Sequence, residues 1–178
     1  MLEKAEAVFE KKNLEDRLTL LHTPFQKLPP ERVHTFDLVL FHAVLEWLDK
    51  PFESLNTLIK YIKPGGYLSL LYYNASALLF YNALKGNFHK IRSGDFKGDP
   101  RGLTPMNPMD PVDVDDFLAR SGIRQVSKAG IRIFYDYMRP EIQQKRTFQD
   151  IVEMEKKYCR KEPYVSMGRY VHIIGRVD

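Results

Sequence analysis

The sequence predicts an α/β fold built on a mostly parallel sheet with an antiparallel C-terminal strand, and three observations predict it. The runs DLVLFH at 37–42 and YLSLLYY at 67–73 are near-continuously apolar, as strands buried on both faces of a parallel sheet are. Between them, residues 51–62 carry Leu55, Leu58, Ile59 and Ile62 at helical spacing, so the three segments make a strand–helix–strand unit. Helices and β segments continue to alternate downstream, and the C-terminal end is rich in β segments, the order of a doubly wound sheet.

Each element has its own signal. Residues 2–13 place Leu2, Ala5, Val8 and Phe9 on one helical face, with Glu3, Lys4, Glu6, Glu10 and Lys11 around it. RLTLLH at 17–22 is a short β-prone run, followed by a proline-containing loop through Pro30. After the 37–42 strand, residues 43–47 read as helical. The 51–62 helix stops at KPGG, where Pro64 blocks continuation and Gly65 and Gly66 supply a turn. Residues 74–84 form a helix that Gly86 ends, and 87–111 gathers glycine, proline and basic residues into a long functional loop or lid. Asp110-Pro111 starts a helix with Val112 or Val114, Phe117 and Leu118 inward and Gly122 closing it. Two β segments at 123–129 and 131–134, a helix over 141–158 and a strand at 170–176 complete the chain.

At 178 residues and 44% hydrophobic content, the chain can bury one sizeable core, and a single domain is expected. A net charge of +4 is a mild basic bias that permits a polyanionic partner without requiring one. The single cysteine, Cys159, rules out an internal disulfide and fits a reducing compartment, with the cytoplasm as the default. It has no histidine nearby in sequence and reads as inert. Apolar runs are strand-sized, far below the ~20 residues that span a bilayer, and the charged opening MLEKAEAVFEKK is unlike a signal peptide. Histidines 22, 34, 42, 89 and 172 are scattered, so no metal is expected.

A nucleotide-type cofactor in such a sheet sits at the carboxyl ends of the strands, over a glycine-rich first turn. The only adjacent glycines, Gly65 and Gly66, follow a helix and precede a strand, which is the wrong order for that turn. The chain also opens on a helix of the crossover kind, so the strands ahead of it are expected to lie outside these residues.

FDLVLFHAVLEWLDKP, IKPGGYLSLLYYNASALLFYNALKGNF and the tail KAGIRIFYDYMRPEIQQKRTFQDIVEMEKKYCRKEPYVSMGRYVHIIGR together resemble a known family. They are similar to the S-adenosylmethionine-dependent methyltransferases of the tRNA wobble uridine, the tRNA 5-carboxymethoxyuridine methyltransferase family. The first two segments match the general class I pattern, whereas KYCRKEPYVSMGRYVH narrows the resemblance to this family. It implies an incomplete Rossmann-like methyltransferase fold, N-terminally truncated, with S-adenosylmethionine as cofactor. The implied substrate is the carboxylate of 5-carboxymethoxyuridine in a tRNA anticodon stem-loop.

By that resemblance, Phe41 and His42 border the cofactor, and Phe25 with Gln26 lies near its adenine. Strand ends are where ligands sit in these sheets, although His42 capping its strand and Phe41 serving the core explain them equally. Tyr73 and Asn74 face the same crevice; Asn74 either orients substrate or caps the helix that follows. Esterifying a carboxylate needs no general base, because the group is ionised at neutral pH with a reference pKa near ~4. The task is positioning, which favours Arg132, Arg169 and Tyr170 as donors. Basic residues from Lys85 to Arg101 and from Lys145 to Lys161, with Phe88 and Tyr164, are suited to phosphates and splayed bases. The alternative function is a non-catalytic remnant that binds RNA or a protein partner. Unpaired edges on the 37–42 strand would also favour self-association.

Overall fold

The computed structural model describes residues 2–94, 96 and 105–178. The chain divides into two compact units, Met1–Pro30 and Glu31–Asp178. In the first, helix α1 (Leu2–Glu10) buries none of its residues, and short 3-10 turns follow at Glu15–Arg17 and Phe25–Lys27. The RLTLLH run forms no strand. β-branched and aliphatic residues favour a strand only where a pleated neighbour receives them.

The second unit is organised by one four-stranded sheet in the order β1-β2-β4-β3. Its strands are β1 (Phe36–His42), β2 (Ile62–Tyr73), β3 (Ile123–Ile131) and β4 (Tyr170–Val177). β1 and β2 are parallel, while β4 runs antiparallel to both β2 and β3. Three strands therefore point one way and the C-terminal strand opposes them, as expected. Because β4 inserts between β2 and β3, the one parallel ladder is that of β1 with β2.

Helix α2 (Pro51–Ile59) links β1 to β2, with proline at its first turn and Leu55 and Leu58 buried. KPGG is not a turn between elements; it lies inside β2, where Phe36 pairs with Ile62 but Leu38 pairs with Tyr67. That shift absorbs the extra residues and requires glycine. Gly65 has φ +77°, and a Cβ on Gly66 would stand 2.8 Å from Ile62 Cγ2 and 2.9 Å from the Lys63 carbonyl oxygen.

One face of the sheet carries Phe41, Leu68, Leu70, Tyr72, Val171 and Ile173, all buried. Helices α2 and α5 (Pro111–Arg120) supply Leu55, Leu58, Val114 and Leu118 to the same core. Their adjacency is fixed by Phe52 and Phe117, whose ring centroids are 5.1 Å apart. Val114, not Val112, is the inward residue. The expectation that β1 is buried on both faces fails: Leu38 and Leu40 are 52% and 63% exposed. β1 stands at the end of the strand order, and the side chains alternating with Phe41 face solvent.

The two expected β segments at 123–134 are the single strand β3, ended by Arg132 in the left-handed region at φ +60°. The expected 141–158 helix is two helices, α6 (Pro140–Lys145) and α7 (Phe148–Tyr158). The break falls where the Thr147 side chain caps α7 by accepting from the Asp150 amide at 3.1 Å. Helix α3 (Ala75–Leu84) forms as expected, while part of the expected loop is helix α4 (Phe88–Ser93). Lys90 and Arg92 thus sit on a helix, and Lys97 and Arg101 lie outside the described residues. The short α8 (Tyr164–Met167) leads into β4. No helix among the described residues is long and apolar enough to cross a membrane.

Candidate functional site

The carboxyl end of β2 meets the start of β4, and this junction gathers the site. Tyr73 pairs with Tyr170 across the two strands, and their rings pack edge-to-face at 5.5 Å. Asn74 is fully buried just beyond. Its side-chain oxygen accepts from the Ser76 amide, capping α3, while Nδ2 donates to the carbonyls of Ser166 and Gly168, each at 2.9 Å. The Asn74 amide also donates to the Arg169 carbonyl at 3.0 Å. Every polar atom of this amide side chain is thus engaged within the protein, and it positions Arg169 instead of facing a ligand. Gly168 makes the approach possible, since a Cβ there would stand 2.6 Å from Gly130 Cα and 2.7 Å from the Ile131 nitrogen.

Arg169 emerges between two rings, with its guanidinium carbon 5.4 Å from the Tyr73 centroid and 5.9 Å from that of Tyr170. Its Nη1 lies 3.4 Å from Asp136 Oδ1, and its Nε is buried without a hydrogen-bond partner. Asp136 also pairs closely with Arg132. Arg132 stacks over the Tyr135 ring at 5.3 Å and reaches the site only through Asp136. Burial disfavours the Arg169 charge, but Tyr73, Asp136 and Tyr170 outweigh it and hold the group firmly protonated.

Tyr73, Tyr81, Asn82, Lys85, Lys90, Asp136, Tyr137 and Arg169 line a cavity of about 290 Å³ beside this arginine. Lys85 Nζ sits 4.3 Å from the Tyr81 ring centroid. Burial pushes the Tyr137 hydroxyl up to about 12, with Asp136 and Tyr73 adding to the shift. Burial also raises Tyr73, against the lowering effect of Arg169. Both phenols are neutral at physiological pH, and the Tyr137 hydroxyl donates to the Met167 carbonyl at 2.7 Å. The cavity therefore combines neutral aromatic walls with three cationic side chains and one carboxylate.

The cofactor candidates are placed differently. Phe41 is buried in the helix-covered core, and Phe25 and Gln26 belong to the N-terminal unit. His42, exposed at the end of β1, has Nε2 2.8 Å from the Ser69 hydroxyl, which is also 2.8 Å from His172 Nε2. Burial lowers the His172 pKa, and His42 and Arg160 lower it further. Next in the chain, Ala43 takes φ +53°, an uncommon conformation for a residue with a side chain. A 3-10 turn at Leu45–Trp47 then buries Glu46 to 1% exposure, with Oε2 lacking a partner and the carboxyl pKa raised by desolvation. The left-handed backbone of Ala43 and the unpartnered, desolvated Glu46 oxygen mark the end of β1 as a constrained, polar strand terminus. The described residues contain no glycine-rich turn beside it.

Sequence reasoning missed Asp136 and Glu46. A lone acid in the FYDY run gave the only hint of the first. Glu46 sat within a segment read as a simple helix, where a glutamate is ordinarily solvated.

The description "Methyltransferase domain" matches residues 1–70. The tRNA 5-carboxymethoxyuridine methyltransferase of Escherichia coli (strain K12) is 39% identical over 176 residues, covering 99% of this chain and 67% of that relative. Its counterpart in Escherichia coli O157:H7 gives the same figures. Among solved structures, a SAM dependent methyltransferase from Archaeoglobus fulgidus superposes with TM-score 0.53 at 16% identity, covering 93% of this chain and 71% of its own. The Burkholderia thailandensis 1,6-didemethyltoxoflavin-N1-methyltransferase, with S-adenosylhomocysteine bound, gives TM-score 0.51 at 10% identity, covering 97% of this chain and 56% of its own. Fold and sequence together define a Rossmann-like, S-adenosylmethionine-dependent methyltransferase. Within that class, the chain belongs to the tRNA 5-carboxymethoxyuridine methyltransferase family.

Proposed function

We propose that the protein esterifies the carboxylate of 5-carboxymethoxyuridine at the wobble position of tRNA, and that the cavity beside Arg169 receives the modified base. The observation that carries this reading is the arginine itself. It lies against two tyrosine rings, is tied to Asp136 through Nη1, and presents a partly exposed guanidinium to the cavity. A carboxylate satisfies such a guanidinium by accepting two parallel hydrogen bonds.

When bound, S-adenosylmethionine supplies the methyl group. The residues of this chain do the rest by positioning. Arg169 holds the carboxylate and leaves one oxygen directed at the donor, while Tyr73 and Tyr170 exclude water from the pair. No residue needs to remove a proton, which agrees with tyrosines too weakly acidic to serve as bases. Lys85 and Lys90 at the cavity are suited to the phosphates of an anticodon stem-loop. His42, Ala43 and Glu46 form the cofactor side of the crevice. A cytoplasmic location follows from this substrate.

The test is Arg169→Ala, measured as methyl transfer to tRNA containing 5-carboxymethoxyuridine and as cofactor binding by calorimetry. Turnover should fall about 100-fold or more while cofactor affinity is unchanged. Loss of cofactor affinity instead would remove Arg169 from the substrate side. The open β1 edge supports a second reading, a non-catalytic RNA-binding chain that associates with itself or with a partner. Micromolar affinity for S-adenosylmethionine, about 8 kcal/mol, excludes it, and no binding at millimolar cofactor favours it.

A further inference from the structure

We infer that Asp136 is a positioning and specificity-determining residue, which fixes the Arg169 guanidinium and sets the charge of the cavity so that it takes a carboxylate and releases the corresponding methyl ester. The inference rests on the reading of Arg169 as the carboxylate donor and extends it to a residue that makes no contact with the reacting atoms.

The first support is how firmly Asp136 is held. Arg132 begins the segment in a left-handed conformation. Both oxygens of Glu155 on α7 then accept three successive backbone amides: Ile133 at 2.7 Å, Phe134 at 2.9 Å and Tyr135 at 3.0 Å. On the far side, Gln143 Nε2 donates to the carbonyls of Tyr135 at 2.8 Å and Met138 at 3.2 Å. A carboxylate anchored on both flanks in this way is a fixed reference for whatever it binds.

The second support is the charge arrangement. Asp136 has a side-chain exposure of 13% and lies between Arg132 and Arg169, with Oδ2 buried and unpartnered. Two guanidiniums share one carboxylate, so the inner end of the cavity carries an excess of one positive charge. Asp136 engages Arg169 through Nη1 alone, so it steadies the guanidinium while the side chain, 38% exposed, still faces the cavity and an incoming anion.

A substrate carboxylate neutralises that excess. Its methyl ester does not, since it is uncharged and presents a weaker acceptor. Arg169 nevertheless keeps Asp136 as its counter-ion when the ester departs, which avoids stranding a buried cation without a partner. Without Asp136, Arg132 and Arg169 would repel one another and the arginine would lose its fixed orientation.

The experiment uses the full 178-residue chain and two anticodon stem-loop RNAs, one carrying 5-carboxymethoxyuridine at the wobble position and the other its methyl ester. Affinities are read by fluorescence anisotropy, without turnover. The wild type should prefer the carboxylate by about tenfold or more. Asp136→Asn should weaken carboxylate binding by a similar factor and leave ester binding unchanged, so that the preference is lost. A purely structural defect would weaken both RNAs together. Asp136→Glu, which keeps the charge but moves it by one methylene, should give an intermediate preference. A wild-type preference retained or increased in either variant would overturn the inference, because Asp136 would then be a mere competitor for Arg169 or a bystander. No preference in the wild type itself would overturn the underlying reading of Arg169, a result distinguishable from the first.

Discussion

The two faces of the sheet are finished to different degrees. On one, Phe41, Leu68, Leu70, Tyr72, Val171 and Ile173 are sealed beneath helices, and Leu70, Tyr72 and Val171 have no exposed surface at all. On the other, Leu38 and Leu40 at the β1 edge stand more than half exposed. The Arg169 cavity lies at the β2–β4 junction, where its arginine, tyrosines and aspartate are brought together. The end of β1, where we propose the cofactor is held, lies on the exposed side. The Arg169 cavity and the end of β1 therefore rest on parts of the molecule with different structural support.

This contrast is most directly broken by removing side chains from each face. Leu70→Ala should cost about 2–5 kcal/mol of unfolding free energy, because it opens a cavity in the sealed face. Leu40→Ala should change stability by no more than about 0.5 kcal/mol. Comparable losses in chemical denaturation would show that the β1 face is covered in solution.

The pocket side is sharpened by Asn74→Ala, which strips hydrogen bonds from the Ser166 and Gly168 carbonyls and uncaps α3. A loss of about 2–3 kcal/mol is expected, with weakened RNA binding before cofactor binding is affected.

Glu46 gives a pH-dependent test of the end of β1. Its folded-state pKa is raised above the ordinary 4.5 by desolvation, so its contribution to stability is complete at low pH and is lost as pH rises through the folded value. Glu46→Gln cannot ionise. It should be more stable than wild type at pH 8 by about 1 kcal/mol, with the difference vanishing near pH 4. A thermal-melting difference that does not vary with pH would contradict the burial argument.

The smallest energetic effect is expected from Leu40→Lys, which places a charge on the open face. Monomer stability should hardly move, while any self-association seen by sedimentation should weaken. A monomeric wild type would show that this face does not seek a second copy.

How much of this was legible in the sequence varies by kind of signal. The strand–helix–strand unit and the cap of α3 could be read because apolar spacing and the Asn-Ala-Ser start act locally. The family-like tail drew attention to Arg169 and Tyr170, which the structure places at the β2–β4 junction. The exposure of β1 was not, since an apolar run records the kind of surface a strand is suited to meet and not whether that surface is in place. The positions of KPGG inside β2 and of β4 between β2 and β3 depend on register and on sheet order, which no window of residues encodes. Asp136 escaped notice because its partners are set by the path of the chain after β3, through an anchor on α7 some 20 residues away.

The Ser69 hydroxyl, placed between the Nε2 atoms of His42 and His172, has a consequence for the open face of the sheet. A hydroxyl carries one hydrogen, so when it donates to one neutral ring it must receive from the other, and the pair adopts one of two mirror arrangements of tautomers. A change of hydrogen-bonding partner at the strand end is therefore transmitted across β2 to an imidazole on β4, and neither ring can reverse its tautomer without the other.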